Sequence, residues 1–464
     1  MSISAYSAAK KNLIVSAIAS ILVVLSIFIY GYEYGTSANH MQILPFIEKI
    51  RNPALFPNDY FVNTLNRFPS IYPYVMAFLS KWIGLEALHL ILYLIFKFAL
   101  LIFAYSLARF LFRSRRTGII AMFLFAFSPL INAYGLLGHD PLMKASFYQT
   151  SAVAPFAVAA ILMFLRKKYT VTYIILACIY YVNALIGNFL LVLFLFASAY
   201  EYSCKKNTAG LKNIIYPLFL FVVLIIPGAA WIARLNITNP VHASENFSLY
   251  LKLWFTGHYF PSFFTAHQWY YFAVICIFFV IFFRRGFGYC REKNIIRIFL
   301  FVLVDMWLLA AVFGEVLPIR GLILLQFLRS DVLFIVLGIT FAADYIRSML
   351  DSKSARGIAI GGLIVLALIE FSKPPYIEFI LIALILTEFE ISIKNFLQQV
   401  TTDAEESLVF LWTFFAIFLI TFSAASFFIY KASPKMGCFL IFSIALAMAG
   451  KKRALLKFKN GCMA

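Results

Sequence analysis

The chain has 464 residues, 63% of them hydrophobic and 13% charged, with a mean hydropathy of +0.90. Soluble domains carry about 25% charged residues, so a water-soluble globular enzyme is excluded and a polytopic membrane protein is indicated. The formal net charge of +19 does not point to nucleic acid. Much of the excess sits in short clusters between apolar runs, as the positive-inside rule requires, and no basic face with interleaved aromatics stands apart.

Lys10 and Lys11 place the N-terminus in the cytoplasm, and the later sides follow by alternation. The run to Tyr30 is as long as a membrane span and is followed by no small-residue cleavage site, so it reads as a retained helix. Residues 31–74 form the first exoplasmic loop and hold Glu33, Asn39, His40, Glu48 and Asp59 beside Lys49, Arg51 and Arg67. Such a density of ionisable groups belongs outside the hydrocarbon, where water or a polar ligand satisfies it. Two prolines break its end, FPSIYPY, which is expected to lie along the interface. The second span returns the chain to the cytoplasm at Arg109, Arg113, Arg115 and Arg116.

A third span leads to a second exoplasmic patch, 135–146, with Gly138-His139-Asp140-Pro141 and Lys144, and the fourth ends at Arg166-Lys167-Lys168. The apolar run 171–201 is interrupted at NALIGN (183–188). It is long for one crossing of a ~30 Å core and short for two, so two short or tilted helices are expected. The longest exoplasmic loop, 234–268, carries His242, Glu245, His258 and His267. Span 9 ends at Gly314-Glu315, and Arg320, Gln326, Arg329 and Asp331 precede span 10. Four plainer spans follow, and basic residues from Lys451 onward place the C-terminus in the cytoplasm. The expectation is an all-α polytopic protein of about 12–14 membrane helices, with the polar patches in 1–346 and a smaller helical appendage in 357–464.

The six cysteines fall in spans or on cytoplasmic turns, so no structural disulfide is expected, and no CxxC pair or histidine cluster suggests a metal site.

Several stretches taken in order carry a resemblance. They are SANHMQILPFIEKI after span 1, then Pro57-Asn58-Asp59-Tyr60, then FPSIYPYVMAFLSKWIG and a basic-ended helix, YSLARFLFRSRRTGIIAMFLFAFSPL. Gly138-His139-Asp140-Pro141-Leu142 and the broken run at 171–201 complete the order. It resembles the C-type (GT-C) integral membrane glycosyltransferases, most closely the protein O-mannosyltransferase and aminoarabinose transferase branch. The likeness covers roughly the first 200 residues in detail and 200–346 in layout. It implies a GT-C-like bundle whose first exoplasmic loop contains interfacial helices. The implied reaction is sugar transfer on the exoplasmic face from a polyprenyl-phosphate donor to a lipid, glycan or protein acceptor. One departure stands out: the family's acidic pair falls at Ala38 and Asn39, neither of which is a base.

Such transfer needs a group to deprotonate or orient the acceptor hydroxyl, a cation for the leaving phosphate, and a groove for the isoprenoid tail. Asp140 matches the family position and is the first catalytic candidate; its alternative is an Asx turn capping span 4. Asp59 is a second acid or an ordinary turn residue. Glu33 is a functional carboxylate or an interfacial charge, and His40 a base or a structural hydrogen-bonder. Arg329, flanked by Gln326, is the phosphate-binding candidate, with Lys144 and Arg320 behind it; its alternative partners are Asp331, Glu315 or a lipid headgroup. His139, His258 and His267 are candidates for contacting sugar or acceptor, against the default of an aromatic interfacial belt.

The expected setting is a multi-pass protein of a bacterial inner (cytoplasmic) membrane. Its partners are the bilayer, a polyprenyl-phosphate lipid and envelope polysaccharide assembly proteins. The polyprenyl-phosphate sugar is a substrate; no cofactor is assigned and the divalent-metal requirement is open. Two rivals remain: a transporter or flippase of a lipid or glycan, and a non-catalytic scaffold of the same fold. A transporter calls for related halves with broken helices at the midplane, and only one interrupted pair is visible.

Overall fold

A computed structural model describes residues 3–64, 70–138, 140–205, 208–238, 251–253, 256–352 and 354–369, together with positions 384, 385 and 388. Every regular element among them is helical. Seven of these helices are long and apolar enough to cross a bilayer, and three shorter apolar helices accompany them. The last three expected spans lie outside the described residues apart from positions 384, 385 and 388, and Arg67, His139, His242 and Glu245 lie outside them as well.

The chain divides into two compact units, Met1–Arg347 and Ser348–Ala464. In the first, α1 (Ile3–Tyr30) and α5 (Leu85–Phe112) pack together, and between them run α2 (Ala38–Arg51), α3 (Tyr60–Thr64) and α4 (Tyr72–Leu79). These three short helices occupy the polar stretch where interfacial helices were expected. Ser37 begins α2 by accepting from the His40 backbone N–H at 3.2 Å, an ordinary N-cap. Further on come α6 (Arg115–Phe127), α7 (Pro129–Asn132), α8 (Gln149–Leu165), α9 (Tyr169–Val182), α10 (Ala184–Lys205) and α11 (Thr208–Thr238). The expected break falls at Asn183, but only α9 is short; α10 is long enough to cross by itself.

After α12 (Thr256–Tyr259) come α13 (Ala266–Gly286) and α14 (Lys293–Ala311), which continues through a π-helical turn, Val312–Val316. A short helix, α15 (Arg320–Ile323), precedes α16 (Asp331–Asp351). The second unit contributes α17 (Ala355–Ile369).

Two helices form the middle of the first unit. α8 is buried on nearly every side, and its Ala152, Ala154, Ala157, Ala159 and Ala160 let neighbours approach closely. α16 is buried from Asp331 to Ile346. Predominantly apolar on every face, with Asp331 and Asp344 of α16 hydrogen-bonded to partners within the protein, these segments are buried in the bundle. The start of α4 closes the end of α9. Ser70 Oγ donates to the Val182 carbonyl at 2.7 Å and Ile71 N–H to the Tyr181 carbonyl at 2.9 Å, satisfying oxygens the helix end leaves open.

Candidate functional site

The segment 133–148 joins α7 to α8 with no regular structure, yet Leu136–Gly138, Asp140–Met143 and Ser146–Tyr148 are buried. A buried loop must find partners for its backbone polar groups. Here they come from five other parts of the fold. Asp331 Oδ2, at the head of α16, accepts from Leu137 N–H at 2.7 Å and from Gly138 N–H at 3.2 Å. His258 Nδ1 on α12 donates to the Gly138 carbonyl at 2.7 Å. Glu33 N–H, just past α1, donates to the Ala145 carbonyl at 3.1 Å. The Phe147 carbonyl accepts from His40 Nε2 on α2 at 2.8 Å and from Tyr72 Oη on α4 at 3.0 Å.

Held in this way, the loop presents Asp140 to two cations. Its Oδ1 accepts from Lys144 Nζ at 2.5 Å and its Oδ2 from an Arg329 Nη2 hydrogen bond. Arg329 Nη1 donates to Gln326 Oε1 at 2.9 Å, and Gln326 Nε2 donates to Tyr259 Oη at 2.8 Å. Gly138 lets this happen: a Cβ there would stand 2.6 Å from Arg329 Cα and 2.7 Å from its Cγ. Lys144 Nζ also lies 5.6 Å from the centre of the Tyr148 ring. Burial pushes the Asp140 carboxyl up, but Arg329 first, then Lys144 and His258, outweigh it and hold the group below the usual carboxylate range.

Sequence reasoning left Arg329 with Asp331, Glu315 or an external anion as partner. The structure gives it Asp140, while Asp331 is committed to loop backbone. Glu315 accepts instead from Ser262 N–H at 3.0 Å and pairs with Lys252 at 3.8 Å.

Asp140, Lys144, Arg329, Gln326 and His258 therefore gather in one place. His40 anchors the far end of the same loop. Its Nδ1 accepts from Gly35 N–H at 3.2 Å, which fixes the neutral tautomer with the proton on Nε2, and burial lowers its pKa. Both nitrogens are thus engaged by backbone. Asp59 is exposed, and its Oδ1 caps α3 by accepting from Val62 N–H at 2.9 Å. The Glu33 side chain is exposed, Arg320 opens the short helix α15, and His267 is exposed with its ring 4.4 Å from that of Tyr271. His139 lies outside the described residues.

Tyr259, Tyr148 and Tyr72 also belong to the arrangement, and none of them was a site candidate from the sequence; Gly138 was noted only as part of the Gly138-His139-Asp140-Pro141 motif. Only Tyr259, beside His258 in an aromatic run, carried any signal. Between α12, the π-helical turn and α15 lies a crevice of about 10 Å³, bordered by His258, Tyr259, Gly314 and Gln326, room for roughly one water. With this geometry in hand, no family model, curated protein or solved structure matches the chain. Among the described residues no group of histidine, cysteine or acidic side chains is placed to hold a metal ion.

Chemically, the cluster is a carboxylate saturated by an ammonium and a guanidinium. The same two cations can take phosphate oxygens in place of the carboxylate, and Arg329's planar fork suits that exchange.

Proposed function

We propose that the chain is an integral membrane glycosyltransferase of C-type architecture using a polyprenyl-phosphate-linked sugar. The observation that carries the reading is the Lys144–Asp140–Arg329 cluster, which joins the carboxylate that the resemblance points to with the phosphate-binding candidate across 189 positions. In this reading the donor phosphate displaces Asp140 from Arg329 and Lys144. Loss of its two cationic neighbours raises the Asp140 pKa and makes it a better base. The acceptor hydroxyl passes its proton to Asp140 as its oxygen bonds to the sugar's anomeric carbon. The anomeric C–O bond to phosphate breaks, and polyprenyl phosphate leaves with the electron pair, its charge met by Arg329 and Lys144.

The test uses full-length protein in liposomes with a polyprenyl-phosphate sugar and a candidate acceptor, with product read by mass spectrometry. Asp140→Asn and Arg329→Ala are each expected to lower transfer by at least about 10²-fold while leaving folded protein in the membrane. Wild-type rates in both variants would overturn the assignment.

Three observations favour a second reading, a non-catalytic scaffold. Asp140 is fully satisfied, the adjoining crevice is water-sized, and Ala38 and Asn39 replace the family's acidic pair. A scaffold predicts that the Asp140→Asn/Arg329→Gln double variant rescues a deletion phenotype.

A further inference from the structure

The Lys293–Val316 helix ends beside the Gly314 crevice and begins, about 36 Å away along its axis, at a second and larger cleft. This cleft has a volume of about 520 Å³ and lies where α5, α10 and α13 end and α14 starts. Those four helices all belong to the set able to cross a bilayer. The cleft therefore lies at the ends of bilayer-length helices, at the opposite end of the Lys293–Val316 helix from the Gly314 crevice.

Its charges are sorted. Glu201 and Glu292 line it, but both are engaged by Lys167, at 2.5 and 3.3 Å, and Glu201 also accepts from Tyr169 Oη at 2.7 Å. Arg113, Arg291 and Lys293 line it too, and among the described residues none of the three forms a salt bridge. The Arg291 guanidinium lies 4.8 Å from the centre of the Phe110 ring, and its backbone N–H donates to the Leu111 carbonyl at 2.8 Å, which anchors the chain at this position. A guanidinium's planar fork suits phosphate oxygens. The first turn of α14 adds to this. Glu292 precedes it in the left-handed region (φ 59°) and gives no side-chain cap, and Lys293 and Asn294 line the cleft.

The positive-inside rule accounts for an excess of cations at this face. It does not account for a hollow, or for carboxylates tied to Lys167 while, among the described residues, three lining cations form no salt bridge. The volume falls within the roughly 300–1,000 Å³ range of ligand pockets and exceeds what inorganic phosphate fills, leaving room for the ester beside Tyr200 and Tyr289.

We propose that this cleft binds a phosphate ester, with Arg113, Arg291 and Lys293 as the anion-binding groups. The ester is the headgroup of an anionic membrane lipid or a soluble phosphate ester of similar size. The proposal is independent of the reading of the Asp140 cluster.

The test titrates full-length protein in detergent with phosphatidylglycerol and phosphatidylcholine, read by native mass spectrometry, and with glycerol 1-phosphate, read by calorimetry. Phosphatidylglycerol is expected to bind at least about tenfold more tightly than phosphatidylcholine. An Arg113→Gln/Lys293→Gln variant, altering two exposed side chains, is expected to lose that preference. If glycerol 1-phosphate also binds and is lost in the variant, the headgroup chemistry alone suffices; if only the lipid binds, the source is the bilayer. In case the double variant unfolds, Lys293→Gln alone is expected to weaken binding about threefold. Equal binding of both lipids with no glycerol 1-phosphate signal would overturn the proposal, as would unchanged binding in a folded variant.

Discussion

Asp140 and Arg329 are 189 positions apart and share a hydrogen-bonded ion pair, with side chains only 12% and 18% exposed. The pair fastens the 133–148 loop to the start of α16. Breaking one partner of a largely buried pair strands the other, at a cost of about 3–5 kcal/mol at full burial. Lys144 remains beside Asp140, so Arg329→Ala is expected to cost less, about 2–3 kcal/mol. The double variant Asp140→Ala/Arg329→Ala is expected to be less destabilised than the sum of the singles. Additive losses in an SDS or urea unfolding series would show that the pair is not coupled.

Gly138→Ala tests the same contact without touching a charge. The new methyl would collide with Arg329 Cα and Cγ, and overpacking of this kind costs about 1–3 kcal/mol. Arg329→Ala removes Cγ but leaves Cα and Cβ in place, so most of the destabilisation is expected to persist in that background. A Gly138→Ala protein as stable as wild type would contradict the close approach.

Asp331 is expected to matter through backbone rather than charge. Its Oδ2 serves two N–H groups of the loop. Asp331→Asn can keep that acceptor, whereas Asp331→Ala orphans both donors at about 1–3 kcal/mol each. Alanine should therefore be clearly worse than asparagine in thermal unfolding, and a reversed order would remove the role.

The pH response follows from His40 and Asp140. Burial lowers the His40 pKa in the folded state, so below the ordinary value near 6.5 the unfolded chain takes up a proton first. Stability is full above that value and falls as pH drops toward the folded one. Asp140, held below the usual range by Arg329 and Lys144, behaves likewise at lower pH: its contribution is present above about pH 4 and lost as pH falls through the depressed value. His40→Gln should flatten the melting-temperature profile between about pH 5 and 7. Identical slopes in wild type and variant would refute the His40 assignment.

Asp59 offers a contrast. As an exposed cap of α3, Asp59→Ala is expected to cost about 0.5–2 kcal/mol and Asp59→Ser much less. Both should leave any sugar transfer intact. A large loss of transfer at unchanged stability would restore Asp59 to the chemistry.

The sequence by itself determined that the chain is helical and apolar enough for a bilayer, though it counted about 12–14 spans where seven helices among the described residues are long enough to cross. Apolar runs of span length, basic clusters at their ends and the interruption at Asn183 all act locally, because hydrophobic transfer and backbone hydrogen bonding are settled within a segment. At Asp59 the sequence offered a turn residue or a second acid, and the structure makes it the cap of α3. Only the tertiary structure decided which partner Arg329 takes. Asp331 is two residues away and Asp140 is 189, yet helix packing turns Asp331 toward the loop backbone and brings Asp140 to the guanidinium. Sequence spacing carries no information on such a choice, since it depends on where buried donors are left unpaid by secondary structure, and that is fixed only when the helices meet.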